Sequence, residues 1–258
     1  MAQAGGILHP HAPKRPRQRR RGASRPCNDL SEHGYKEGET DAEGVIDPDA
    51  PLHVVEGVAQ VETWAGGGAG GGGGGGIMTP RYQAYYCEEN IWQLCQEEGF
   101  AAARAVMISN AAKTCPLWNQ RAAPSRDQCV VWDYHVILLR GQARGWEVWD
   151  LDTTLGSPVG LSAYLRQTFA PPGALEARYE PRFRVMEAAA YVEGLRSDRS
   201  HMRGEGGAWL QPPPPWPAPG RAGEAPTLMR LLDMGAPSPG EVHTLASLCA
   251  ALGVPAWR

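Results

Sequence analysis

Regular placement of apolar residues begins near Tyr82–Tyr86 and continues toward the C-terminal end. In Cys87–Glu98, residues Ile91, Trp92, Leu94 and Cys95 recur at i, i+1, i+3 and i+4. That spacing predicts a helix with one buried stripe, stopped by Gly99. Glu88 and Glu89 fall in its first turn, where the macrodipole favours negative charge, and Cys87 lies at its start. Ala105–Ile108, followed by Ser109-Asn110, predicts a short strand. Val130–Leu139 is rich in β-branched and aromatic residues without clean alternation, which predicts a central strand that is mostly buried.

Gly141–Gly145 reads as a turn and Trp146–Asp152 as the returning strand. With the turn centred near Gln142–Ala143, the numbers of opposing residues total about 285, to within about one. His135 and Asp150 meet that condition, and cross-strand neighbours stand within about 5.5 Å at Cβ. Asp152 shares a strand face with Asp150 by the period of two. Beyond the hairpin, Leu161–Gln167, Thr227–Met234 and Thr244–Leu252 predict helices, and Phe183–Met186 a strand. Pro212–Pro215 starts a proline-rich surface loop with polyproline character. Helices and antiparallel strands are segregated rather than alternating, which predicts an α+β domain.

Composition divides the chain of 258 residues in two. Residues 1–77 carry the basic run Lys14–Arg21, an acidic stretch from Asp29 to Glu56 and ten glycines within Gly66–Gly76. This predicts a disordered, low-complexity leader ahead of a single domain at 78–258, with Met78 an alternative start. The basic run suits nuclear import or a nucleic-acid arm, or is a solvated tail without a partner. The glycine tract is not followed by Lys-Ser/Thr, so it is not a phosphate loop. A net charge of −3 argues against a generally basic nucleic-acid binder. No apolar run reaches the length of a membrane span, and the N-terminus has no signal-peptide core. The six cysteines show neither zinc-type pairs nor a dense disulfide framework. They read as free thiols in a reducing compartment, cytosolic or nuclear.

A thiol at a helix start, with a histidine and an aspartate on neighbouring strands, is what a cysteine nucleophile needs. Imidazole holds the thiol proton in a Cys⁻/His⁺ pair, and a carboxylate orients the ring. Cys87, His135 and Asp150 are the candidates, with Asp152 the nearest rival to Asp150. Glu88 and Glu89 oppose the thiolate unless they point away or are paired. The competing reading makes Cys87 a packed thiol and His135 a satisfied core residue. Cys95 and Cys249 read as packing, and neither Cys115 nor Cys129 has an evident base.

Five stretches occur in one order: Tyr86-Cys87-Glu88-Glu89-Asn90-Ile91-Trp92, Val131-Trp132-Asp133-Tyr134-His135-Val136, Asp150-Leu151-Asp152-Thr153, Ser197-Asp198-Arg199-Ser200-His201-Met202, and Trp209 with Pro212–Pro215. Together they resemble the protein N-terminal glutamine amidohydrolase family from about Tyr82 to Val254. The resemblance implies a papain/transglutaminase-like α+β fold, with a nucleophile-bearing helix packed on an antiparallel sheet. It implies deamidation of an N-terminal glutamine side chain to glutamate with release of ammonia, feeding the arginine branch of the N-degron pathway. Carried over by position, the nucleophile is Cys87, the base His135 and the orienting acid Asp150. No metal or organic cofactor is implied, and the partners are glutamine-initiated proteins or peptides acted on by a monomer, without nucleic acid or membrane. Reading a free α-ammonium calls for a carboxylate near the pocket, for which Glu89 and Asp198 are candidates. Asp198 has a turn-capping role as its alternative, and His201 a structural hydrogen bond. A cysteine protease or acyl transferase would use the same triad, and an N-terminus-binding module would hold it without turnover.

Overall fold

A strand that is apolar on both faces needs cover on both sides, and the unbroken apolar runs in this chain set that requirement. The computed structural model describes residues 79–221 and 223–255, with the isolated strand β1 (Arg25–Pro26). Apart from that strand, the expected leader over 1–77 lies outside the described residues, its basic run and glycine tract included.

After helix α1 (Cys87–Leu94) come strands β2 (Arg104–Ser109), β3 (Cys115–Leu117), β4 (Val130–Trp132), β5 (Tyr134–Gln142), β6 (Gly145–Trp149) and β7 (Val159–Gly160). Helix α2 (Leu161–Thr168), strand β8 (Arg182–Glu187), helices α3 (Ala188–Gly194) and α4 (Leu228–Leu231), strand β9 (Glu241–Thr244) and helix α5 (Leu245–Ala251) complete the order. Antiparallel pairing gives a central six-stranded sheet, β7-β6-β5-β2-β8-β9, and a small sheet, β1-β4-β3. The protein is an α+β domain. Among the described residues no helix is long and apolar enough to cross a membrane.

Alternate residues of β2 and β5 serve two cores. Ala105, Met107, Val136 and Leu138 pack with Ile91 and Leu94 of α1, Tyr191 of α3, and Leu228 and Leu231 of α4. Val106, Ile108, Ile137 and Leu139 pack with Leu161, Tyr164 and Leu165 of α2, Leu245 and Leu248 of α5, and the small sheet. Burial on both faces is why no clean alternation marks these strands in the sequence.

Three expectations need correction. The first helix ends at Leu94 rather than running to Gly99, and Gly99 sits at φ +88° in the turn that follows. The strand expected over Val130–Leu139 is two strands in different sheets, broken at Asp133. There Ser109 Oγ donates to the Asp133 carbonyl at 2.7 Å, and Tyr134 N–H donates to Asp133 Oδ1 at 2.9 Å. The hairpin turns on Ala143–Arg144, so opposed residues such as Leu138 and Trp149 total 287, not 285. Moving the turn by one residue changes that total by two, so every side chain keeps its face.

Arg184 of β8 is, among the described residues, the largest side chain withdrawn fully into the interior, at 1% exposure. Its guanidinium donates to the carbonyls of Leu231 (2.9 Å), Asp233 (2.7 Å), Ala236 (3.1 Å), Ser238 (3.3 Å) and Pro239 (3.4 Å). The fork thereby holds the loop between α4 and β9 against the sheet. Arg184→Ala would strand these carbonyls, and a loss of about 3 kcal/mol or more is expected from urea unfolding. Arg184→Lys should recover less than half of it, because three donors on a flexible stem cannot reproduce the planar fork.

Candidate active site

Helix α1 starts at Cys87 because Tyr86 leaves the helical region there, at φ −123° and ψ 48°. The helix packs on β5, whose ladder with β6 stops at the pair Leu138–Trp149. Tyr134–Ile137 are therefore without a β6 partner. The Cys87 sulfur lies against the Val136 backbone N–H. Burial raises the Cys87 thiol well above its ordinary pKa, and the Glu88 and Asp152 carboxylates push in the same direction. The Cys87 S–H donates to Glu88 Oε2 at 3.8 Å.

His135 and Asp150 are both 0% exposed, and His135 Nε2 lies 3.0 Å from Asp150 Oδ1. The two-residue difference in register leaves them on one face, so the sequence-based pairing of these side chains survives the shift. Asp150 also accepts from Tyr164 of α2 (2.8 Å), from Gln120 Nε2 (3.3 Å) and from the Asp152 backbone N–H (2.9 Å). Burial alone would raise Asp150, but His135 and these donors hold it below the usual carboxylate range. Burial disfavours the His135 cation, yet Asp150 outweighs it and the imidazole pKa is raised. Trp132 stacks on the ring at 5.6 Å between centroids. With Nε2 bound to Asp150, Nδ1 is the ring nitrogen left for chemistry, and it has no hydrogen-bond partner.

The carboxylates around this centre differ in how they are occupied. Glu89, a sequence candidate for substrate recognition, is fully buried and accepts a two-pronged pair from Arg199, at 2.7 Å to each oxygen. Trp216 Nε1 donates to it as well, at 3.0 Å. Asp198, the second candidate, is exposed and accepts from the N–H of Ser200 at 2.9 Å, the first residue of the 3-10 turn Ser200–Met202. Glu88 is 0% exposed, and its Oε1 has no hydrogen-bond partner. His201 Nε2 stands 3.4 Å from that oxygen and 3.1 Å from the Tyr134 hydroxyl. Asp152 accepts from the Tyr82 hydroxyl at 2.7 Å.

Sequence reading missed Arg199, Tyr164, Gln120 and the unmet oxygen of Glu88. Arg199 could have been suspected from its place in Ser197–Met202; the others needed the chain brought together. Among the described residues, His135, Asp150 and Asp152 group donor atoms within 4.8 Å of one another, a spacing that could hold a metal ion. His135 Nε2, both Asp150 oxygens and Asp152 Oδ1 are engaged in the His135–Asp150, Tyr164 and Tyr82 hydrogen bonds. Cys87, Cys95, Cys115 and Cys249 are free thiols, as expected, whereas Cys129 is disulfide-bonded. Burial pushes Cys95 and Cys115 up to about 12, as suits packing residues.

A protein-family model described as N-terminal glutamine amidase matches residues 82–252. The chain is similar to the protein N-terminal glutamine amidohydrolase of Drosophila willistoni, 41% identical over 143 residues, covering 53% of this chain and 70% of the relative. The Drosophila ananassae protein of the same name gives the same figures. The human protein of that name is 40% identical over 143 residues, covering 53% of this chain and 69% of its own length.

Asp152 gives the site a measurable pH dependence. Burial, helped by Asp150 and opposed by His135, raises its pKa to about 6. A carboxyl raised in the folded state favours folding in its protonated form, and that advantage is lost as pH climbs from about 4 through about 6. Asp152→Asn removes the titration. Its stability relative to the unmodified chain should therefore rise by about 3 kcal/mol between about pH 4 and pH 7, read from urea midpoints. A difference that stays constant with pH would show that Asp152 does not ionise in this range.

Proposed function

The chain belongs to the N-terminal glutamine amidase family, and from that premise we propose that Cys87, His135 and Asp150 are the nucleophile, base and orienting acid of its reaction. The protein is a hydrolase that deamidates N-terminal glutamine of proteins or peptides, giving glutamate and ammonia. The observation that carries the triad is the buried His135–Asp150 pair, whose free Nδ1 belongs to the same strand end that flanks the Cys87 sulfur.

In the proposed mechanism, His135 Nδ1 takes the Cys87 proton as sulfur attacks the glutamine δ-carbonyl carbon. The tetrahedral oxyanion is met by backbone N–H groups, for which those of Cys87 and Glu88 at the start of α1 are available; the Glu89 and Asn90 N–H groups already donate to the Tyr86 carbonyl. Imidazolium protonates the departing nitrogen, which leaves as ammonia and yields a thioester. The same ring then takes a proton from water, whose attack releases the glutamate product and the thiol. Asp150 holds the ring through Nε2 and offsets its charge where both side chains are closed to solvent.

A nucleophile-bearing helix packed on an antiparallel sheet, with the base on a strand, is the arrangement of papain- and transglutaminase-like folds, and we assign the domain at 78–258 to that class. Residues 1–77 would be its low-complexity leader. The product suits the arginine branch of the N-degron pathway, in the cytosol or nucleus.

The test uses the full chain and a glutamine-initiated peptide, with ammonia and peptide mass as readouts. Ammonia release with a gain of about 1 Da, abolished in Cys87→Ala and far slower for the N-acetylated peptide, is the expected outcome. Asp150→Asn should lower kcat by about 10²–10⁴, as a misoriented imidazole does in triad enzymes. Backbone cleavage without ammonia would instead identify a protease using the same three side chains.

A further inference from the structure

The triad leaves one buried charged group unexplained. Glu88 follows the nucleophile directly, is 0% exposed, and has an oxygen without a hydrogen-bond partner. Its other oxygen receives the Cys87 S–H at 3.8 Å. Neither feature helps a nucleophile form. A carboxylate beside the sulfur disfavours the thiolate, and an S–H directed at that carboxylate is not directed at His135.

The other carboxylates of the site are committed. Glu89 is held by Arg199 and Trp216, Asp150 by His135 and Tyr164, and Asp152 by Tyr82. Asp198 is exposed and spent on a turn. The hydroxyl of Tyr191 on α3 fixes Glu88 only through its backbone carbonyl, at 3.0 Å, so the carboxylate itself is not consumed by the helix packing. The cationic neighbour of Glu88 is His201, whose Nε2 stands 3.4 Å from Oε1 without a hydrogen bond; that oxygen has room for a closer cation, and an N-terminal substrate supplies one.

We propose that Glu88 receives the α-ammonium of the substrate and that this contact releases Cys87 from its resting hydrogen bond. The proposal rests on the N-terminal glutamine reading above and assigns that site its recognition group. The dimensions agree. A δ-carbon at about 3–3.5 Å from sulfur is in position for attack, and the α-nitrogen of the same glutamine lies within about 5 Å of that carbon. A carboxylate 3.8 Å from the sulfur can reach that nitrogen. Once the ammonium occupies Glu88, the S–H loses its acceptor and turns to His135 Nδ1. The proton moves from sulfur to the ring, and the ammonium keeps all of its own. An acylated or internal glutamine brings no cation, so it would leave the thiol bound to Glu88. Binding specificity and chemical activation would thus come from one ion pair.

Several other ionisable groups act on the Cys87–Glu88 pair. On α1 itself there is Glu89, neutralised by Arg199. From β5 and the bend before it come Asp133, Tyr134 and His135, and from the turn after β6 comes Asp152. From the 3-10 turn comes His201, where burial opposes the cation but Glu88 outweighs it and raises the pKa. His201 is the native neighbour that the ammonium joins or displaces.

Three measurements decide the matter. In the unliganded full chain, the pH midpoint for alkylation of Cys87 by iodoacetamide, followed at that cysteine by peptide mass spectrometry, should fall by about one unit or more in Glu88→Gln. An unchanged midpoint overturns the coupling. In the unmodified protein, n-propylammonium chloride should lower the same midpoint while n-propanol does not; equal effects overturn the cation requirement, and this arm needs no variant to fold. For turnover, Glu88→Gln should lower the ratio of kcat/KM for the free-amine over the acetylated glutamine peptide by about 30-fold or more, with Glu88→Asp keeping most of it. A preserved ratio in Glu88→Gln overturns the recognition role. Failure of the unmodified protein to release ammonia from either peptide would strike the functional reading, whereas the two alkylation arms would still judge Glu88.

Discussion

The contact between His135 and Asp150, made wholly out of water, is the interaction around which the rest of the site is arranged. A buried pair of this kind is favourable only when its remaining donors and acceptors are met. Asp150 has that support from Tyr164, Gln120 and the backbone of Asp152. Each partner comes from a different part of the chain. Helix α2 must lie across the sheet to bring Tyr164, the small sheet must fold over to stack Trp132 on the ring, and β6 must stop at Trp149. The second core layer therefore exists around this pair as much as beside it. The first layer carries the nucleophile, and the two meet at the end of the β5–β6 ladder.

Electrostatics give the site an unusual cast. Cysteine nucleophiles are commonly activated by positive surroundings, whereas burial and the Glu88, Asp152 and Asp133 carboxylates all push the Cys87 thiol up. Such a site favours a substrate that brings its own positive charge. An N-terminal residue does so through its ammonium, and an internal residue does not. The same carboxylates that make the resting thiol unreactive thus suit the reaction the family performs.

The segment Ser197–Met202 shows how a short motif does several jobs. Ser197 Oγ accepts from the Arg199 N–H at 3.2 Å and Asp198 from the Ser200 N–H, which shapes a tight turn with Arg199 at φ +57°. Arg199 then reaches Glu89 on α1 and the carbonyls of Pro214 and Trp216, at 3.4 and 2.7 Å. The proline-rich loop is tied to the first turn of the nucleophile helix through the Arg199 guanidinium and through Trp216 Nε1, and His201 is delivered beside Glu88. Acidity at the start of α1, attributed in the sequence to the helix dipole, is mostly explained by these tertiary partners.

The local pattern was enough to identify α1 and its opening cysteine, the β5–β6 hairpin, α2, β8 and the helical spacing of Leu245, Leu248 and Leu252. It also put His135 and Asp150 on one face, because face depends on parity and a one-residue move of the turn changes the pairing total by two. What it did not resolve were β3, β7, β9 and α3, which are short or lack a strong period, and the break at Asp133, where a single apolar run passes from one sheet to another. The family resemblance was legible from residues close together in the chain. Which carboxylate is satisfied and which is not was decided only by the tertiary structure. Glu88 and Glu89 are adjacent and chemically alike, but hydrogen-bond satisfaction depends on groups more than a hundred residues away. Arg199 and Trp216 hydrogen-bond one of them, whereas an oxygen of the other faces His201 at 3.4 Å without a hydrogen bond.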